Sequence, residues 1–214
     1  MEPKFSKKIA GTLIEKKLSK SESFGRHLAK RIGDRSAVEL CCCLGIQSIQ
    51  VAKNSNKQVT GVDINKSIIR KAFKNAKIYG VKNVKFIVGD AMDEKLLGSL
   101  KSDVVIIDPH WSVTQTLQRD FATKLNETDP PAGKLVRLVR KHITDNIIVE
   151  FPWTMPDKEI LKLGRCEIQD AFVNGEPKSR IAYFGDLKQK SKSRVKFEFV
   201  KGNLPKRYRA NRVS

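Results

Sequence analysis

The sequence predicts an α/β protein: a doubly wound, mostly parallel, Rossmann-like sheet with a terminal antiparallel hairpin. Three observations carry this expectation. Short apolar runs alternate with helical patterns between residues 37 and 163, as in repeated βα units. The runs are apolar throughout, which suits strands buried on both faces. Two further strand-like segments, joined across Asn174-Gly175, close the series. A chain of 214 residues can bury one substantial core. The expected organisation is an N-terminal helical segment (1–35), the α/β domain (36–187), and a basic strand and tail (188–214).

Each element has its own signal. Phe5, Ile9, Leu13, Ile14 and Leu18 fall at helical spacing with lysines opposite, predicting a helix over 5–18. Ser21 or Ser23 can cap a second helix, running through Phe24, Leu28 and Ile32 to Gly33. Residues 37–42 read as the first strand, ending in the Leu44-Gly45 turn, and 46–53 as a helix. The strand at 58–62 ends at Asp63. The helix at 65–79 carries Ile68, Ile69, Ala72, Phe73, Ala76 and Tyr79 and is closed by Gly80. Strands follow at 84–88, ending at Gly89-Asp90, and at 103–107, running into Asp108-Pro109-His110-Trp111. After an irregular stretch (112–128) and Pro130-Pro131 come a basic helix at 134–142, a fifth strand at 146–151 and a short helix at 157–163. Segments 166–173 and 179–185 form the hairpin across 174–178. Beyond 188, Val195, Phe197 and Phe199 share one face of a strand, ahead of Lys206, Arg207, Tyr208, Arg209 and Arg212. That end reads either as a solvated tail or as a basic arm on a phosphate backbone, with Tyr208 stacking on a base.

Lys and Arg total 42 against 23 Asp and Glu, a formal charge of +19. Such an excess implies a polyanionic partner, a nucleic acid, through phosphate neutralisation and counterion release; charge alone leaves RNA or DNA open. The run Lys134, Arg137, Arg140 and Lys141 is either a solvated helix face or a backbone contact. No apolar run approaches the ~20 residues of a membrane span. Nor does the N-terminus carry the apolar stretch of a secretory signal. A soluble, cytoplasmic protein with no membrane partner is expected. Cys41, Cys42 and Cys43 are consecutive, Cys166 stands alone, and His27, His110 and His142 are scattered. Neighbouring strand cysteines point to opposite faces, so reduced thiols and no metal are expected.

In open α/β sheets, ligands bind beyond the carboxyl ends of the strands, where strand order reverses. The candidates there are Glu39 and Gly45 after strand one, Asp63 after strand two, Asp90 after strand three and Asp108 after strand four. Any one of these acids could be a solvated loop residue; their joint order along the chain is the signal. Asp63 suits the two hydroxyls of a ribose. The turn Cys43-Leu44-Gly45-Ile46-Gln47 has one glycine, whereas a dinucleotide pyrophosphate needs three. A cofactor without phosphates fits better, and S-adenosyl-L-methionine is one. Asp90 can then accept from the adenine amino group, with Ile64 and Met92 flanking the ring. In Asp108-Pro109-His110-Trp111, the Asp108 carboxylate or the Pro109 carbonyl can orient an exocyclic base amine while Trp111 stacks on the ring. Positioning would supply most of the rate gain. Alternatives stay open: Trp111 as a core aromatic, His110 as a general base or a polar loop residue, Trp153 as a second wall of the base slot or as rim packing.

Three segments carry a family resemblance. Val38-Glu39-Leu40-Cys41-Cys42-Cys43-Leu44-Gly45-Ile46-Gln47 is followed by Ile49-Gln50. Val62-Asp63-Ile64 leads through Tyr79-Gly80-Val81 to Gly89-Asp90. The third is Ile181-Ala182-Tyr183-Phe184-Gly185-Asp186. Together they resemble the class I S-adenosylmethionine-dependent methyltransferases, and more narrowly the trimethylguanosine synthase family, the RNA cap guanine-N2 methyltransferases. The resemblance covers roughly residues 24–187. It implies cofactor contacts at Glu39, Asp63 and Asp90, and a target guanine against Trp111 with Asp108 and Pro109 near its amine. Cys43 and Ile46 stand where the family has glycines, and Pro109-His110-Trp111-Ser112-Val113 where it has Pro-Pro-Trp-Gly-Gly. The expectation is RNA methylation at an exocyclic amine, with guanine N2 preferred. The alternatives are adenine N6, or a non-catalytic RNA-binding protein on a degenerate fold.

Overall fold

The computed structural model describes residues 3–111 and 121–198; Ser112, Val113 and the basic end from Phe199 through Lys206, Arg207, Tyr208, Arg209 and Arg212 lie outside the described residues. Five short strands form the parallel core: β1 (Ala37–Leu40), β2 (Val59–Asp63), β3 (Val84–Val88), β4 (Val104–Ile107) and β5 (Ile147–Pro152). The hairpin strands β6 (Glu167–Val173) and β7 (Glu176–Tyr183) and the edge strand β8 (Lys192–Phe197) complete one sheet. Its order is β3-β2-β1-β4-β5-β7-β6-β8, so the order reverses between β1 and β4. The expected doubly wound, mostly parallel sheet with a terminal antiparallel hairpin is what the chain forms.

Helices cover both faces. On one lie α2 (Glu22–Ile32), α3 (Ile46–Lys53) and α4 (Lys66–Tyr79); on the other α5 (Glu94–Ser99), α6 (Ala132–His142) and α7 (Asp157–Ile160). The division follows the pleat: Val38 and Leu40 point into the α5–α7 side, Ala37 into the α2–α4 side. Local chemistry sets the helix ends. The Asn65 side chain accepts from the amides of Ser67 and Ile68, and Gly80, at φ 69°, closes α4 in the left-handed region. Ser21 caps α2 by accepting from the Phe24 amide at 3.2 Å. Among the described residues no helix is long and apolar enough to cross a membrane.

Two expectations need correction, and two features were not foreseen. The helix expected over 5–18 shrinks to α1 (Leu13–Leu18), because Thr12 and Glu15 form a capping box that starts it there. Phe5 and Ile9 instead pack on Leu44 and Ile46, and Asn75 satisfies the Ala10 amide and carbonyl. Leu13, Ile14 and Leu18 are left exposed. The helix α5 was not foreseen; it has six residues and one buried side chain, Leu97, with Asp93 as its cap. The hairpin loop is two residues rather than five, since Asn174 (φ 51°) and Gly175 (φ 83°) make a tight left-handed turn. Finally, β8 runs parallel to β6, from Ile168 opposite Lys192 to Val173 opposite Phe197.

The N-terminal helices are tied to the far edge of the sheet by one buried ion pair. Arg31 donates to both oxygens of Glu167 at 2.8 and 3.2 Å, and its guanidinium lies 4.2 Å above the Tyr183 ring. Burial alone would raise the Glu167 carboxyl, but hydrogen bonds from Arg31, Ser193 and the Gln189 amide outweigh it and hold the pKa down at about 2. A carboxyl lowered on folding contributes stability that is complete above its unfolded value and lost as pH falls through the folded one. Unfolding free energy should therefore decline between about pH 4.5 and pH 2, and Glu167→Gln should flatten that part of the profile in urea melts. An unchanged acid slope in the variant would count against this role.

Candidate active site

All five parallel strands carry an acid at or just past the carboxyl end: Asp90 after β3, Asp63 on β2, Glu39 on β1, Asp108 after β4 and Glu150 on β5. Register aligns them. Leu40 pairs with Val62 and Ile107, and Ile107 with Val149, so the positions of Asp108 and Glu150 follow side by side.

One half of this rim centres on the turn after β1. Cys41 (φ 64°), Cys43 (φ 48°) and Gly45 (φ 72°) are left-handed, a conformation costing roughly 1–2 kcal/mol per non-glycine residue. Hydrogen bonds hold it: Cys42 donates to the Val62 carbonyl, Gly45 to the Cys42 carbonyl, and the Cys43 amide to Asp63 Oδ2 at 3.0 Å. Gly45 begins α3, and a Cβ there would lie 2.6 Å from the Phe86 ring, so packing as well as backbone angle requires glycine. Glu39 is buried at the N-terminus of α3. It accepts from the Ser48 amide at 2.8 Å, the Ser48 hydroxyl, and Gln47 Nε2 at 3.0 Å. Burial pushes its carboxyl up to about 7, against the pull of those donors. Asp63 Oδ1 also accepts from the Asn65 amide at 2.9 Å. Asp90 is exposed and accepts from the Met92 amide at 2.8 Å.

The transfer side is occupied by the protein itself. Lys20, between α1 and α2, places Nζ 2.7 Å from Asp108 Oδ1, 2.8 Å from Glu150 Oε2 and 4.0 Å from the centre of the Trp111 ring. Trp111 is half-buried and its Nε1 donates to the Glu150 carbonyl at 3.2 Å. Burial disfavours the Lys20 ammonium, yet the two carboxylates outweigh that and raise its pKa. Burial and the neighbouring Asp108 push the Glu150 carboxyl up, against the pull of Lys20. With Lys20 in place, the cavity among Ser19, Lys20, Glu39, Cys43, Gln47 and Asp108 measures about 10 Å³, room for a single water.

Of the residues singled out from the sequence, Glu39, Gly45 and Asp63 share the first turn, and Asp108 and Trp111 meet around Lys20. Pro109 is buried. His110 is exposed and its backbone pairs with Asp129 at 2.7 and 3.0 Å. Trp153 packs against Phe172, ring centres 5.4 Å apart, with the Arg180 guanidinium 4.9 Å over it. Ile64 is 70% exposed and Met92 half-buried. Two residues were missed. Glu150 had a signal, a charge inside the apolar run Ile147-Ile148-Val149-Glu150-Phe151; Lys20 had none, as one cation among many.

Residues 34–145, more than half of the chain, match a family model described as a methyltransferase domain. The chain belongs to the methyltransferase-domain family. An uncharacterized RNA methyltransferase of Gloeobacter violaceus is 29% identical over 94 residues, 42% of this chain and 20% of the relative. This methyltransferase domain thus spans about a fifth of the length of the curated relatives it matches. A putative methyltransferase from Porphyromonas gingivalis superposes with a TM-score of 0.66 at 14% identity, over 82% of this chain and 43% of that one. The Pyrococcus abyssi tRNA (uracil-54, C5)-methyltransferase, solved with S-adenosyl-L-homocysteine, gives 0.53 at 17% identity, over 76% and 37%. Both likenesses show the fold.

The cofactor of this domain is S-adenosyl-L-methionine, and the residues present fit its adenosine half. Each oxygen of Asp63 accepts one backbone hydrogen bond and keeps a lone pair for a ribose hydroxyl. The exposed face of Ile64 beside it is apolar surface that a ring would cover.

Removing the ammonium as Lys20→Met would leave Asp108 and Glu150 facing one another with no cation. Glu150 already sits above its unfolded value of 4.5, and losing Lys20 raises it further. A carboxyl raised on folding contributes stability at low pH that is lost as pH rises through its folded value. Urea melts should show Lys20→Met costing on the order of 3–5 kcal/mol near pH 9 and clearly less near pH ~6. A deficit that is equal, or larger at the acid end, would contradict this electrostatic account.

Proposed function

We propose that this methyltransferase domain acts on RNA in the cytoplasm and methylates an exocyclic base amine, with guanine N2 the preferred target. The observation that carries the reading is the meeting of Asp108 and the Trp111 ring at the carboxyl end of β4, where sheet order reverses. A carboxylate beside a π face is what a planar base with an amine needs. RNA is supported by the similarity to uncharacterized RNA methyltransferases and by the charge of +19. Lys4 adds to this: burial and the nearby Lys178 and Lys20 lower its pKa to about 8, so cations gather beside the site. Guanine N2 rests on the resemblance to the trimethylguanosine synthase family. Residues 36–187 would form the catalytic domain, between the helical segment 1–35 and the basic end 188–214.

In this reading Asp63 accepts the ribose hydroxyls, Asp90 the adenine amino group, and Ile64 and Met92 flank that ring. Glu39 keeps the turn at Gly45 in shape by holding the start of α3. When bound, S-adenosyl-L-methionine supplies an electrophilic methyl group. Trp111 stacks on the target base, with His110 and Trp153 bordering it. The Pro109 carbonyl and the Asp108 carboxylate orient the amine, and Asp108 takes the proton that the amine sheds on methylation. Methylation at a pyrimidine carbon, as the name of the Pyrococcus tRNA (uracil-54, C5)-methyltransferase describes, would need a nucleophile to activate the ring. Burial pushes the thiols of Cys41, Cys42, Cys43 and Cys166 up, away from the reactive thiolate.

Titration calorimetry with S-adenosyl-L-homocysteine separates the roles. Asp63→Ala should weaken binding at least about tenfold. Trp111→Ala should leave affinity within about twofold while abolishing methyl transfer to RNA; full turnover in that variant would rule out the base slot. Nucleoside analysis of methylated RNA should return N2-methylguanosine. N6-methyladenosine would move the target to adenine, and salt-sensitive RNA binding without cofactor binding would favour a non-catalytic protein.

A further inference from the structure

We propose that the Lys20 ammonium marks the seat of the target amine, and that Glu150 is the second acceptor there, pairing with Asp108 to hold both N–H groups of an exocyclic amine once Lys20 withdraws. This rests on the reading that the domain methylates a base amine, and it adds a specificity residue to it.

The geometry is that of an amine in place. Lys20 Nζ donates to Asp108 at 2.7 Å and lies 2.8 Å from Glu150 Oε2. It lies over the Trp111 ring, 4.0 Å from the ring centre, close to the ~3.5–4.0 Å contact distance between stacked atoms. The two hydrogens of an aromatic amine diverge in the ring plane, so one carboxylate can receive one of them and the other needs a partner of its own. Glu150 is that partner by position, since pairing of Ile107 with Val149 brings the next residues, Asp108 and Glu150, together.

Glu150 is fully buried in a strand that is otherwise apolar, and a carboxyl there is costly without a task. Among the described residues its Oε1 has no hydrogen-bond partner. The acceptor and the aromatic floor are built as one unit, because Trp111 Nε1 donates to the carbonyl of Glu150 itself. Lys20 sits in the short link between Ser19, which ends α1, and Ser21, which caps α2. Its flexible side chain can therefore leave while both helices stay.

The test compares guanosine 5′-monophosphate with inosine 5′-monophosphate, which differs only in lacking the 2-amino group. Binding to the full-length protein is read by quenching of tryptophan fluorescence. Lys20→Met should bind guanosine monophosphate about tenfold more tightly than the wild type and prefer it over the inosine nucleotide at least about tenfold. Glu150→Met keeps the volume, removes the acceptor, and should bring that preference down to about threefold or less. The nucleotide ratio can be read on the wild type and on Glu150→Met alone, so the comparison survives if Lys20→Met is too unstable. Equal binding of the two nucleotides, no gain in Lys20→Met, or an undiminished preference in Glu150→Met would each overturn the assignment. Tight adenosine monophosphate with weak guanosine and inosine nucleotides would keep the amine seat and overturn guanine N2 instead.

Discussion

Three carboxylates lie at the carboxyl ends of the adjacent central strands β1, β4 and β5, and the fold must keep them out of bulk water. Glu39 and Glu150 are essentially fully buried, and Asp108 is mostly so. Desolvating that much negative charge is untenable without compensation. Two structures provide it. The start of α3 surrounds Glu39 with the Ser48 amide and hydroxyl and with Gln47, using helix-terminal donors that have no intrahelical partner. Lys20 lies between Asp108 and Glu150. The placement of the N-terminal segment follows from the second. Lys20 can reach only if Ser19 rests on Cys43, Glu22 receives Ser6 and Tyr79, and Arg31 pins α2 to β6.

The parts of the fold legible from the sequence are those decided locally. Central strands buried on both faces are largely apolar, so β1, β4 and β5 stand out as runs. Asn65, Gly80 and Ser21 terminate helices by bonds to residues within one turn. What was misread or not foreseen is decided largely at a distance. The apolar spacing of Phe5 and Ile9 is compatible with a helix, but their partners Leu44 and Ile46 are some forty residues away, and the capping box at Thr12 and Glu15 starts the helix late. The direction of β8 is likewise a property of its pairing with β6, which no local pattern encodes. The short α5 has a single buried residue, too few for periodicity.

The site divides in the same way. Acids at strand ends are visible because each interrupts an apolar run where a parallel strand must stop. Asp63 and Asp108 were found by that logic, and Glu150 obeys it but hides inside β5, two residues before Pro152. Lys20 is different in kind. Its importance lies in three partners at positions 108, 111 and 150, all far along the chain, and a lysine in a sequence this basic carries no mark of burial. The sequence exposes the donors and acceptors that the sheet supplies, while the group that neutralises them comes from outside the βα repeat.

An ammonium in an acceptor site also constrains what can replace it. A neutral base amine offers the same two hydrogen bonds but brings no positive charge, so the exchange would strand an extra negative charge among Asp108, Glu150 and the nearby Glu39. Glu150 can relieve this on its own. Burial and the adjacent carboxylates push its pKa up against the pull of Lys20, and withdrawal of that cation pushes it further, so the carboxyl favours a proton once Lys20 leaves. With the proton on Oε1, which has no partner among the described residues, Oε2 is still an acceptor for the incoming N–H. A fully ionised pair would favour a cation over an amine; a pair in which one carboxyl is protonated favours a neutral donor. The same burial that made Lys20 necessary in the closed site thus allows the seat to pass from an ammonium to an amine by moving one proton.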